Sequence, residues 1–219
     1  MNWTNWTANL NWTKDLPFNW FDVAVVLLIM IGYTRGKKHG MSQESLAVLK
    51  WICVVVVAAI AYEPLGMWFA DTLKIGKLFG FILAYSLVAL LVAAVFVFLN
   101  RTIGEKLKGT DTFGRAEFYL AMPAGMLRFA CAVLVFLALL NARYYTTAEV
   151  KAMAKFQDDN YGSNFFPTLS SVQDDVFRNS LVGKQVKQHL GFLLIKPTAP
   201  LPSTKAPATV KRRRDAGFN

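Results

Sequence analysis

Residues 78–99 read LFGFILAYSLVALLVAAVFVFL, twenty-two positions without a charged residue, closed by Asn100-Arg101. As a helix this stretch rises about 33 Å, enough to cross a hydrocarbon core of about 30 Å. It alone places the chain in a membrane, and its neighbours follow the same rule. Upstream, the block from about Leu46 to Tyr62 contains Val54-Val55-Val56-Val57 and one charge, Lys50, in its first turns. A lysine there snorkels to the near interface, and Glu63-Pro64 is expected to end the span. Further upstream, Phe18 to Tyr33 carries only Asp22. Sixteen helical residues reach about 24 Å, with Trp20 and Tyr33 placed for the two interfaces. Downstream, Phe118 to Leu140 holds Arg128 and Pro123. Either the whole block spans and Arg128 lies at depth, or Pro123 splits off a short interfacial helix. In the second case the span runs from about Met126 to Tyr145 and Arg128 snorkels at its entrance. Proline commonly ends or kinks a helix, which favours the second.

Continuous apolar blocks exclude a β-barrel, whose strands alternate. Helices satisfy their own backbone in lipid. The expected fold is therefore all-α: a polytopic membrane protein with four transmembrane helices and an extramembrane C-terminal tail. Four regions are expected: an interfacial segment over 1–17, the four-helix domain over 18–145, an extramembrane helical arm over 146–195, and a Pro-rich basic tail over 196–219. The first region repeats Asn-Trp-Thr at residues 2, 5 and 11. It lacks a basic start and a small-residue cleavage site, so it reads as a segment on the headgroups rather than a signal peptide.

Composition agrees. The 219 residues are 54% apolar and only 17% charged, with mean hydropathy +0.34. Soluble domains carry about 25% charge. Global disorder and a disulfide scaffold are excluded. Cys53 and Cys131 sit inside apolar blocks, and His39 and His189 are isolated, so no metal or cofactor site is expected. The net charge is +10, and residues 141–219 hold twelve Lys/Arg against six Asp/Glu. Lys211 to Arg214 are four consecutive cations. Such a run suits an anionic partner, either lipid headgroups or nucleic acid, or is a solvated end; no nucleic-acid partner is expected of this chain.

Basic residues near the span ends set the expected orientation. The first and third loops carry seven Lys/Arg, among them Arg35, Lys37, Lys38 and Arg101, against six on the opposite side. Lys50 and Arg128 make it nine against six. Loops one and three are then cytoplasmic and both termini outside.

The order of short motifs resembles a known family. Asp22 opens the first span, then come Gly32-Tyr33-Thr34-Arg35-Gly36 and Gly40, Lys50-Trp51, and Tyr62-Glu63-Pro64. Asp111-Thr112-Phe113-Gly114 follows the third span, and Pro123-Ala124-Gly125-Met126-Leu127-Arg128 enters the fourth. Over residues 20–145 this is similar to CvpA, the colicin V production family of bacterial inner-membrane proteins. Lys37-Lys38-His39 makes the first loop more polar than is usual there, and the tail exceeds the family's minimal domain. The resemblance implies an inner-membrane location and association with colicin V export and envelope homeostasis, with no enzymatic role for the helices. A protease domain attached in some members is not expected, because the tail shows no Ser/His/Asp arrangement.

Candidate interaction residues follow. Arg35, Gly36 and Gly40 offer a forked donor beside glycines four apart, suited to a lipid headgroup or an acidic partner, or else form a basic turn. Ala121 and Gly125 make a small-xxx-small pair. Arg128, one turn on, either pairs with Asp22, Glu117 or a carbonyl, or snorkels. Asp22 either caps the first helix or accepts from a basic partner. Ala89 with Ala93 and Gly76 with Gly80 are weaker small-residue pairs. In the tail, helices are expected from Thr147, with Val150, Met153 and Phe156 on one face, and from Ser171, preceding Phe177 and Leu181. A free arm would leave Phe156, Phe165, Phe166 and Phe177 in water, so a partner surface or the bilayer is expected to cover them. No clustered His, Asp or Glu suggests an enzyme. The expected function is a non-enzymatic membrane assembly or scaffold protein that binds lipids, other membrane proteins or copies of itself. The alternative is a small channel or exporter component.

Overall fold

The computed structural model describes residues 19–108, 116–161 and 167–199. Four long helices form the body: α1 Trp20–His39, α2 Met41–Leu73, α3 Lys77–Lys108 and α4 Ala116–Asn141. Three of them contain segments long and apolar enough to cross a membrane: Glu44–Leu73, Lys77–Thr102 and Ala116–Asn141. The first helix falls short by that measure because Asp22, Arg35, Lys37 and Lys38 crowd its twenty residues.

Both prolines expected to break helices sit inside them. α2 runs through Pro64 to Leu73, and α4 runs through Pro123 from Ala116. Proline costs a helix interior about 3 kcal/mol. Both rings are exposed, and the helix residues around them are anchored in the bundle. Tyr62 and Ala70 are buried either side of Pro64, and Ala121 and Ala124 either side of Pro123. The expected interfacial helix before Arg128 is therefore the first part of α4.

α2 and α3 form a hairpin that turns at Lys74 in the left-handed region (φ 52°). Gly80 lies against the Gly66 backbone, where an added Cβ would come 2.5 Å from the carbonyl oxygen. α1 runs antiparallel to α4. Phe21 stacks with Phe136 at one end (ring centroids 6.3 Å apart), and Gly36 meets the Ala121 carbonyl at the other. α2 also packs on α4, joining the two pairs into one body.

The chain after α4 closes one end of that body. α5 (Thr147–Tyr161) starts with a reciprocal cap between Thr146 and Glu149. α6 (Leu169–Asp174) is capped by Thr168, whose hydroxyl accepts from Ser171 N at 3.2 Å, so the helix begins before the expected Ser171. A π-helical turn (Asp175–Asn179) leads through Ser180 to α7 (Leu181–His189) and a 3-10 turn (Gly191–Leu193). Val176, Phe177, Leu194 and Ile195 are buried in the same core as Phe21, Tyr62, Tyr85 and Leu137. Within and just beyond the region 146–195, residues 169–198 are a cap folded onto the bundle. Thr198 finishes it in a parallel bridge with Arg143. The 1–17 segment, Phe165, Phe166 and the Lys211–Arg214 run lie outside the described residues.

Candidate functional site

Asp22 is 1% exposed, in the first turn of α1. Asn19 is the N-cap of that helix, and the two residues cap each other: Asn19 N donates to the Asp22 carboxylate at 3.0 Å. The carboxylate also accepts from Ser180 Oγ at 2.7 Å, Leu181 N at 3.0 Å and Val182 N at 2.9 Å. The last two are free amides at the N-terminus of α7, where negative charge is favoured. Ser180 Oγ in turn accepts from Gly183 N. One carboxylate therefore caps two helices separated by 158 residues of chain. Its partners are neutral donors of the same chain, so of the two readings of Asp22 the structure shows the helix cap.

The surrounding contacts repeat the pattern. Asn19 Nδ2 donates to Asp175 O, Asn141 Nδ2 to Ile195 O, and Gln173 Nε2 to the carbonyls of Leu140 and Arg143. Lys196 donates from its backbone to the Tyr62 hydroxyl and from Nζ to both Glu63 oxygens. The Glu63 carboxylate holds the Lys196 ammonium above the usual lysine range. Gly183 completes the seat, because a Cβ there would meet the Val176 carbonyl. Phe177 is part of this cap, covered by its own chain. Phe156 is 62% exposed on α5, beside Met153 and Thr168.

Arg128 lies at the opposite end. Its guanidinium bonds Glu44 at 3.2 Å, with the carboxylate side chain 5% exposed and the arginine 23%. The partner is on α2, not Asp22 or Glu117 as expected. Glu117 instead accepts from Ser42 N at 3.2 Å. Between them, Gly40 makes the α1–α2 turn at φ 74°, and its N–H bonds Gly36 O. The turn glycine of the expected trio is thus Gly40. Gly36 instead belongs to a helix seam: Gly32 and Gly36 of α1 face Gly125 and Ala121 of α4. Arg35 is exposed on the outer side of α1. The structure brings Gly36, Gly40, Gly125 and Arg128 to one end and Asp22 and Phe177 to the other.

Glu44 and Ser180 carry no signal of their own in the sequence, and Gly32 enters it only within the Gly32–Gly36 motif. Gly32-xxx-Gly36 was a legible signal. Glu44, two residues before an apolar block, read as an ordinary flanking charge. Ala89 and Ala93 floor an apolar groove of about 180 Å³ with Lys50, Trp51, Val54 and Val135. Among the described residues no cluster of three His, Cys, Asp or Glu could hold a metal.

A bundle of long apolar helices, knit by a glycine seam and internal polar clamps, defines an integral helical membrane protein. Its sequence matches the model of the Colicin V production protein family over residues 21–157, and the chain belongs to that family. No curated protein and no solved structure matches it. The match takes in Asp22 and the glycine seam and stops inside α5, before every residue of the cap that Asp22 holds.

Proposed function

We propose that this protein is a non-enzymatic assembly protein of the bacterial inner membrane, with four spanning helices and both ends outside. It binds other membrane proteins through its helices. The fourth span is α1. It lies along α4 from Phe21 to Gly36, a rise of about 22 Å, and a short span is accommodated by tilt or local thinning.

The observation that carries the reading is the groove floored by Ala89 and Ala93. Small residues let a partner helix approach closely in lipid. Beside it, α3 packs on α2 and leaves Leu87, Leu90, Leu91 and Phe98 exposed. Filling the groove with Ala89→Leu and Ala93→Leu should remove copurifying membrane proteins from a mild-detergent preparation without lowering its thermal midpoint. Unchanged copurification by mass spectrometry would sink the reading.

The family's description, colicin V production, supports a second reading as a component of toxin export. Peptide-dependent flux in reconstituted vesicles would favour it over the first.

A further inference from the structure

The cap and α5 enclose a cleft of about 650 Å³, within the size range of small-ligand sites. Four basic side chains from four segments line it: Arg143 after α4, Lys151 on α5, Arg178 on the π turn and Lys187 on α7. One carboxylate, Asp174, lines it with them, and bonds Arg178 at 3.3 Å in an exposed pair. Such a pair is weak, so the cleft keeps an excess of positive charge.

Two of the cations lie over aromatic rings. The Arg143 guanidinium stacks over the Tyr145 ring at 4.6 Å, and Lys187 Nζ lies over the Phe177 ring at 5.4 Å. The Arg143 Nε is buried with no hydrogen-bond partner among the described residues. A buried donor without an acceptor is unfavourable, and an oxyanion in the cleft would supply the acceptor. Cations arriving from several segments suit a tetrahedral oxyanion better than a planar carboxylate, which is matched by one arginine fork. Tyr144 and Tyr145 also line the cleft just beyond the end of α4, the level at which membrane proteins place interfacial aromatics.

The geometry points to a phosphate-binding site in this cleft, taking the phosphate of an anionic lipid headgroup or of a free phosphate compound. It is independent of the assembly reading, which rests on α3.

The test is calorimetric titration of the full chain in neutral detergent. The probes are short-chain phosphatidylglycerol, phosphatidylcholine of equal chain length, and inorganic phosphate. Phosphatidylglycerol or inorganic phosphate should bind, and phosphatidylcholine should bind at least tenfold more weakly than phosphatidylglycerol. Saturation by inorganic phosphate alone identifies the free anion as sufficient; saturation by phosphatidylglycerol only identifies the headgroup. The exposed double variant Lys151→Gln, Lys187→Gln should weaken binding about tenfold. Lys184→Gln, on α7 but outside the cleft, should not. Absence of binding by both anions, or equal affinity in the double variant and Lys184→Gln, overturns the proposal.

Discussion

Removing the Asp22 carboxylate strands four donors at once: Asn19 N, Ser180 Oγ, Leu181 N and Val182 N. Hydrogen bonds to a charged group contribute about 1.5–3 kcal/mol each when buried, and they are not additive. Asp22→Ala should therefore cost about 3 kcal/mol, read as a lower thermal midpoint in detergent. Tryptic cleavage after Arg178, Lys184 and Lys187 should accelerate in the same variant, because the cap comes loose. The Glu44–Arg128 pair behaves differently. Breaking one partner leaves the other charge buried, at about 3–5 kcal/mol, whereas replacing both with apolar residues is close to neutral. Arg128→Met alone, which strands the Glu44 carboxylate, should destabilise strongly, and adding Glu44→Leu should recover most of the loss in the same melting experiment. Lys196 supplies a pH signature. Its folded pKa is raised, so its contribution is complete below the unfolded value and fades as pH rises through the folded one. Stability should show a small alkaline step above about pH 10.4, absent in Lys196→Met.

The α1–α4 seam depends on residues without side-chain bulk. A Cβ on Gly125 would run into the Gly32 carbonyl, and one on Gly32 would come 2.6 Å from the Gly125 oxygen. Gly125→Leu should push the two helices apart and cost about 1–3 kcal/mol. Disulfide trapping between cysteines placed at Val25 and Val133 would report the loss as slower crosslinking. These elements also mark what sequence could reveal. The three long apolar helices were legible because hydropathy over about 20 residues is a local property. Ala121 and Gly125 were legible as a pair by spacing. The helical continuity through Pro64 and Pro123 was not, because proline reads locally as a break and the packing of the bundle is not local. The α7 docking was hidden for the same reason. Asp22 and Ser180 meet only after the whole bundle has formed. Phe177 signalled that it would be covered, but nothing local said by what.

As a whole the molecule is a bundle with two unlike ends. One carries the Gly40 turn, Arg35, Lys37 and the Glu44–Arg128 pair. The other carries the cap, with Asn19 and the α7 segment tied together through Asp22. If all four long helices cross the bilayer, as proposed, these ends face opposite compartments, with the turn expected in the cytoplasm from the basic residues of loops one and three. The decisive measurement is accessibility labelling in intact cells. It uses Lys14→Cys, Lys38→Cys and Lys184→Cys, each in a background with Cys53 and Cys131 replaced by serine. An impermeant maleimide should label Lys14→Cys and Lys184→Cys from outside and Lys38→Cys only after the membrane is opened. Labelling of Lys14→Cys and Lys38→Cys from the same side would show that α1 does not cross and would contradict the four-span architecture.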